Sequence, residues 1–405
     1  MIASAPAAMA APAPSYFALM DQAQATAPRI LESRAKVGVA QGKADQAGVL
    51  PNPTGDILFE NFGSDPPAFL GPSNTSQEQT TFSVSELIEL GGKRGARIAA
   101  GAADLGAAEA RARQVLADFS YELALAYAGA EAAQARIKLN EAAVQAAQED
   151  MRGTQAQVDA GREAGVRAKQ ANAALLAAQA DLEAARADTS AALARLSMLV
   201  AAPQGFTEVV PSLLPLADDL KTAAPPEPAK FLTVIIAEAE RDASRGRFDL
   251  ESARAIPDVT ATVGVRRLTG YKQTVLMGGI SLPVPLFDQN TGNISAAESE
   301  VAAASARLAA ARAEAQTSWR AAVAQGGAAV ARLSSAQSAA AAASEAYGLT
   351  RTAYEAGKTS LLELLSSRRA LTDAQLRLLN AQLAGIGAKA ALARLAGNIA
   401  FGEGR

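Results

Sequence analysis

Tyr354-Glu-Ala-Gly-Lys-Thr-Ser-Leu-Leu-Glu-Leu-Leu365 separates two long segments of heptad-patterned apolar residues, and Gly357 reads as the tight turn between them. A second turn, Ala160-Gly161, stands 196 positions earlier with the same kind of flanks. At that one offset Leu90 meets Leu286, Ile98 meets Ile294 and Leu105 meets Val301. Ile137, Met151 and Val158 meet Leu333, Tyr347 and Tyr354, and Leu175, Leu182 and Leu196 meet Leu371, Leu378 and Leu392. A constant offset from Leu90 to Leu196 marks a tandem duplication built on two long helical hairpins.

The heptads themselves are regular. Between Ala96 and Ala160 there is no proline, and Leu116, Leu123, Ala130, Ile137, Val144, Met151 and Val158 fall at strict sevens. Phe119, Ala126, Ala133 and Ala147 supply a companion seam of mostly small residues. The spacing predicts a helix of about 65 residues, ~100 Å long at ~1.5 Å per residue. After Gly161 and Gly165 a second helix returns with Leu175, Leu182 and Leu196 at the same spacing, and its small seam allows close antiparallel neighbours.

A chain of 405 residues would ordinarily suggest two or three globular domains, but the composition argues otherwise. Hydrophobic residues make up 49% and aromatics only 4%, and much of the remainder is alanine, which suits closely packed helices rather than a thick core. The net charge of −3, with both signs interspersed, implies neither a nucleic acid nor an anionic membrane surface as partner. Cysteine and histidine are both absent, which removes disulfides, Cys/His zinc sites, cysteine nucleophiles and the usual imidazole base. No nucleophile–base pair, phosphate loop or cofactor motif can be assembled, so an enzyme is not expected. No apolar run reaches the ~20 residues of a spanning helix.

Taken in order, residues 1–14 read as a signal-peptide remnant or a disordered tail: Ala8-Met9-Ala10 fits a small-x-small cleavage pattern, with no basic region before it. The first repeat covers 15–202. It holds a helical stretch broken at Pro28, strands near 54–62 and 78–90 around a Gly/Pro/Ser/Asn-rich loop from Gly63 to Ser76, and the hairpin turning near 161. A Pro/Ala-rich linker, 203–228, follows. The second repeat, 229–397, gives a helix, strands near 257–267 and 273–284, and the hairpin turning near 357, before a tail at 398–405. The fold class is mainly α with a small β part.

Four short strands cannot close on themselves, and a two-stranded hairpin is marginal alone. Strands shared between chains would close the edges, and a closed barrel is the β form that spans lipid. Pattern alone leaves two readings open: an oligomer with a β-barrel at one end and a helical tube along its length, or a soluble coiled-coil scaffold with small sheet caps.

The duplication, the strand pairs before each long helix and the Ala-Gly turns resemble the TolC-type outer-membrane efflux proteins over nearly the whole chain. Phe82-Ser-Val-Ser-Glu-Leu-Ile-Glu-Leu-Gly-Gly-Lys-Arg-Gly-Ala-Arg97 is similar to the strand-to-helix junction of the CzcC-like branch, which serves cobalt–zinc–cadmium RND exporters. Ile280-Ser-Leu-Pro-Val-Pro-Leu-Phe287 resembles the family's second junction. The resemblance implies a homotrimer in outer-membrane lipid. Each protomer would give four strands to a twelve-stranded transmembrane β-barrel and its hairpins to a periplasmic α-barrel. The tube would be a passive exit duct, joined by a periplasmic adaptor (membrane fusion protein) to a proton-driven inner-membrane RND transporter. A duct without histidine or cysteine also lacks strong ligands that would retain metal cargo.

The resemblance further implies a periplasmic gate just after the second turn. Glu363 falls where the family has a first gate acid; three residues on, where a second acid is expected, stands Ser366. The matching position of the first repeat is Arg167, and Arg167 and Glu363 are expected near one another around the mouth. The alternative is two ordinary polar residues on a solvated helix face. Ala160, Gly161, Arg162, Ala356, Gly357 and Lys358 match the family's adaptor-docking tips, while a helix C-cap needing positive φ is the simpler role for the glycines. Gly91, Gly92, Lys93, Arg94 and Arg97 mark the barrel–helix junction, either lining the tube or as interfacial or solubilising charges. The functions in contention are a metal-exporting duct, a TolC-like duct for drugs or type I protein secretion, and a soluble scaffold.

Overall fold

The computed structural model describes residues 11–61, 78–217 and 227–402. In chain order the elements are β1 (Ala11–Ala13), α1 (Tyr16–Thr26), α2 (Pro28–Ala47), β2 (Thr54–Glu60), β3 (Gln79–Ile88), α3 (Lys93–Asp159), α4 (Gly165–Leu199), β4 (Phe206–Val209), α5 (Leu232–Arg254), β5 (Val259–Leu268), β6 (Gln273–Ser281), α6 (Thr291–Glu355) and α7 (Leu361–Leu395). The loop from Gly63 to Ser76 lies outside the described residues, as do residues 1–10, residues 218–226 of the expected linker and residues 403–405 of the tail. Contacts divide the chain into two units. One comprises 36–110 and 236–311, the other 1–35, 111–235 and 312–405. Each takes pieces of both sequence repeats, so the duplicated segments are not themselves the compact bodies.

The first of these units holds a four-stranded antiparallel sheet in the order β2-β3-β5-β6, one hairpin from each repeat. Strands β3 and β5 pair without a break from Gln79↔Leu268 to Ile88↔Val259. Because side chains alternate along a strand, this register sorts residues by face. Ile57, Phe59, Phe82, Val84, Val263, Val265, Leu276 and Ile280 share one face and are 42% to 81% exposed. Thr81, Ser83, Ser85, Thr262 and Arg266 share the other and are buried or half-buried. An apolar outer face and a polar, more enclosed one is the reverse of a soluble sheet packed on a core. Among the described residues no helix is long and apolar enough to cross a membrane.

In the other unit the heptad seams are buried where the spacing predicts. Val144 and Ala147 pack against Leu175 and Leu182, with Ile137 and Met151 beside them. A larger core gathers Phe119, Leu123 and Tyr127 of α3 with Tyr16, Leu19 and Met20 of α1, Leu196 of α4 and Ile386 of α7. The Tyr16 hydroxyl donates to Ala400 O at 2.8 Å, and burial raises its pKa.

One stretch departs from expectation. Residues 203–228 are not a plain linker: Phe206–Val209 forms β4, paired in parallel with β1. Ala11–Ala13, placed by composition in a signal remnant or tail, is therefore a strand. The short helical turn Leu214–Ala217 follows β4, and α3 anchors its start through Glu131, which is 3% exposed. Glu131 accepts from the amides of Ser212 (2.6 Å), Leu213 (3.0 Å) and Leu214 (2.7 Å). Three backbone donors compensate a buried carboxylate that has no ion-pair partner among the described residues. Gln134, nearly one turn on, accepts from Val209 N at 3.0 Å.

Candidate functional site

The two hairpin turns have the same backbone. Gly161 has φ 70° and Gly357 φ 68°. In the first, Gly161 N–H donates to Val158 O and Arg162 N–H to Gln157 O, each at 2.9 Å; in the second, Gly357 donates to Tyr354 O at 2.9 Å and Lys358 to Ala353 O at 2.8 Å. These paired bonds end each helix with a left-handed residue, a conformation that costs an L-residue ~1–2 kcal/mol. Beyond the adjoining residues, nothing among the described residues lies within 4 Å of where a Cβ would stand at either glycine, so both tips are sterically open.

Behind the tips the hairpins are fastened together. Leu361 and Leu364, each 1% exposed, pack on Ala171 with Met151, Tyr347 and Tyr354 around them. The Tyr354 hydroxyl lies 3.4 Å from both Thr154 Oγ1 and Gln157 Oε1. Arg351 reaches Glu149 at 3.3 Å and Glu355 at 3.0 Å. At the centre, Arg368 of α7 pairs with Asp150 of α3 at 2.6 Å, with side-chain exposures of only 10% and 12%. Burial pushes the Asp150 carboxyl up despite the opposing Arg368 and Arg351 charges, and burial followed by the Asp150 charge raises the Tyr347 phenol. Arg368 also lines a groove of about 650 Å³ that includes Arg136, Asn140, Asp181, Asp188 and Asp373.

Of the sequence-predicted gate residues, Arg167 and Glu363 each have other partners within the protomer. Within the protomer Arg167 pairs with Glu163 of its own hairpin at 3.8 Å, not with Glu363. Glu363 serves the start of its own helix: Ser360 is the N-cap, its hydroxyl accepts from Glu363 N at 3.3 Å, and the Glu363 carboxylate takes the Thr359 hydroxyl. Ser360-x-x-Glu363 thus has the form of a capping box, which gives Glu363 a local role. Ser366 Oγ donates back to Glu363 O at 2.9 Å. The pair that sequence reading missed, Asp150 and Arg368, lies eleven residues from each turn glycine. Its signal was present: Arg368 stands one heptad after Leu361, a charge at a seam position.

At the strand–helix junction Gly91 and Gly92, with φ 68° and 72°, carry the chain from β3 into α3. Lys93 Nζ meets Asp258 Oδ1 at 2.7 Å, and Leu90 N–H donates to the same oxygen at 3.0 Å. Burial alone would raise the Asp258 pKa, but the Lys93 and Leu90 hydrogen bonds outweigh it and hold it below the usual carboxylate range. Arg94 donates to Gly48 O at 3.0 Å, and Arg97 to Ala47 O at 2.7 Å and Val49 O at 3.0 Å, while also pairing with Glu89. The two arginines therefore cap the carbonyl end of α2, and Lys93 ties the first repeat to the second. At the equivalent place of the second repeat, Asn290 Nδ2 donates to Glu251 O near the end of α5 at 2.8 Å. Among the described residues no group of three or more acidic side chains is arranged to hold a metal ion.

A model of the outer membrane efflux protein family matches residues 19–202 and 233–398, one block on each repeat. The chain is 42% identical over 294 residues to the nickel and cobalt resistance protein CnrC of Cupriavidus metallidurans, covering 72% of this chain and 68% of that protein. To the cobalt-zinc-cadmium resistance protein CzcC of the same organism it is 28% identical over 264 residues, covering 64% of this chain and 59% of that one. The fold is similar to a crystal structure of CusC, with a TM-score of 0.76 at 16% identity over 95% of this chain and 92% of that chain. The duplicated hairpins, the apolar-faced sheet and the matched blocks agree: the chain belongs to the outer membrane efflux protein family.

Proposed function

We propose that the protein is the exit duct of a tripartite RND efflux system that carries divalent heavy-metal cations out through the outer membrane. The observation that carries the cargo is its 42% identity to a protein named for nickel and cobalt resistance. The sheet supports the assembly. Among the described residues both β2 and β6 are free edges, and the outer face is apolar. Pairing β6 of one copy with β2 of the next removes every edge, and a homotrimer gives a twelve-stranded barrel in outer-membrane lipid. The hairpins of three copies form the periplasmic tube.

The duct is passive: its energy comes from an inner-membrane RND transporter reached through a periplasmic adaptor. Ala160-Gly161-Arg162 and Ala356-Gly357-Lys358 are the adaptor's docking tips, because their glycines leave room for another helical hairpin to approach. Asp150–Arg368 and its neighbours hold the two hairpins of a protomer together behind the mouth. Arg167, Glu363 and Ser366 act at the mouth between neighbouring protomers, since Arg167 and Glu363 do not pair within one.

Deletion of the coding sequence, with and without complementation, tests the cargo. Tolerance of nickel, cobalt and cadmium should fall and be restored by the intact chain. Loss of drug tolerance or of protein secretion with unchanged metal tolerance would replace metal by the corresponding cargo. Single-channel conductance tests the gate: if Arg167→Ala and Glu363→Ala leave opening unchanged in planar bilayers, neither residue holds the mouth shut.

A further inference from the structure

The polar face of the sheet carries few charges, and its register shows how they are distributed. Toward the loop end, Arg266 donates to Thr81 Oγ1 at 3.1 Å and Gln79 Oε1 at 3.3 Å, and stands 3.6 Å from Glu60 Oε2. That level is neutral: one carboxylate faces one guanidinium. One row nearer the helices, the cross-strand partners run Asp56↔Ser83↔Gly264↔Met277. Asp56 has no ion-pair partner among the described residues. Gly264 projects no side chain into this row and could not accept one, since an added Cβ would lie 2.5 Å from Phe82 O and 2.8 Å from Ser83 Cβ. An uncompensated carboxylate therefore stands beside a hydroxyl and a position with no side chain, on the polar face of a sheet whose other face is apolar.

We propose that Asp56 is the cation-selecting charge of the barrel lumen. Repeated in each copy, it places carboxylates at a single level of an aqueous passage with low-dielectric walls, which concentrates their field on passing ions. Cations are favoured and anions opposed there, while Glu60 and Arg266 cancel one another a row further out. The inference rests on the reading of the sheet as part of a lumen-enclosing barrel, and it adds to that reading which residue sets the sign of the permeant ion.

The natural absence of cysteine makes the test direct. Ser83→Cys places one thiol on the polar face opposite Asp56, and Val84→Cys places one on the apolar face. The full-length protein in lipid vesicles is treated with a cationic and an anionic methanethiosulfonate, which enter from the loop end whatever the state of the hairpin tips. At Ser83→Cys the cationic reagent should be favoured about fivefold beyond its preference for a free thiol in solution. That excess should vanish when Asp56→Asn is added and persist with Asp56→Glu. Glu60→Gln should shift the ratio toward the anion by freeing the Arg266 charge. An identical ratio with and without Asp56 would overturn the proposal. Equal reactivity of Val84→Cys and Ser83→Cys would overturn the barrel reading itself, and the proposal with it.

Discussion

Asp150–Arg368 behind the tips and Asp258–Lys93 at the strand–helix junction are alike in geometry, at 2.6 and 2.7 Å with little exposed side-chain surface. Their carboxylates shift in opposite directions. Asp150 is raised because burial exceeds the pull of Arg368; Asp258 is lowered because the Leu90 amide adds to Lys93. Distance therefore does not tell whether a buried pair favours the ionised acid; the count of donors against desolvation does. The junction favours the ionised acid, whereas burial at the tip disfavours it.

The sharpest way to break this contrast is at the tip. Asp150→Ala strands a guanidinium that is only 8% exposed, and should cost about 1–3 kcal/mol. The loss should appear as a lower thermal midpoint and faster hydrogen exchange in both hairpins near Leu361 and Ala171. In a cycle with Arg368→Ala, a coupling below ~0.5 kcal/mol would show the pair to be independent.

Acid should separate the two pairs next. Asp150 has a folded pKa above its unfolded value, so on acidification from neutral pH it protonates before an ordinary carboxylate near ~3.9. The groups around it, Arg368, Arg351, Tyr347 and Glu149, then include one acid fewer to hold two arginines. The sign for global stability is the reverse of a loosened contact: a raised carboxylate binds its proton more tightly when folded, so its own contribution grows as pH falls. Asp258 is lowered, so its stabilisation is present above the unfolded pKa and is lost only as pH falls through the lower folded one. Acidification should therefore cost the junction hydrogen-exchange protection through Asp258, while protonation of Asp150 does not by itself open the tips. Simultaneous loosening of both would refute the contrast.

Smaller effects follow at single positions. Gly357→Ala should cost ~1–2 kcal/mol through its φ of 68° alone, since no neighbour obstructs a Cβ. A bulky residue at both Gly161 and Gly357 should abolish efflux while the trimer persists; normal efflux would exclude docking at these tips. Least of all, Glu363→Gln should change stability by under ~1 kcal/mol, as an exposed first-turn group.

The repeats and their seams were legible because period seven survives in an alanine-rich chain: Ile137, Val144 and Met151 pack as their spacing required. The strand expected near 257–267 corresponds to β5, where Val259, Ala261, Val263 and Val265 alternate along the chain. What periodicity could not reveal was partnership. The offset pairs equivalent positions, 167 with 363, but contacts join non-equivalent ones, and Asp150 meets Arg368 at a separation of 218. Residues 203–228 misled for a related reason. Phe206-Thr-Glu-Val209 has a strand's composition, but its partner is Ala11–Ala13, and its neighbour Leu214–Ala217 is pinned by Glu131 on a distant helix. No local rule connects such segments.

The register of the sheet has a topological consequence. Thr54 lies opposite Ser85, Ile88 opposite Val259 and Thr260 opposite Ser281, so every strand meets its helix at one and the same end. Each repeat sends one strand out and brings one back, and an even number of crossings returns the chain to the compartment it left. Parity alone keeps both long hairpins on one side of the bilayer. Loss of a single strand would invert every helix that follows, while loss of a whole hairpin would invert none.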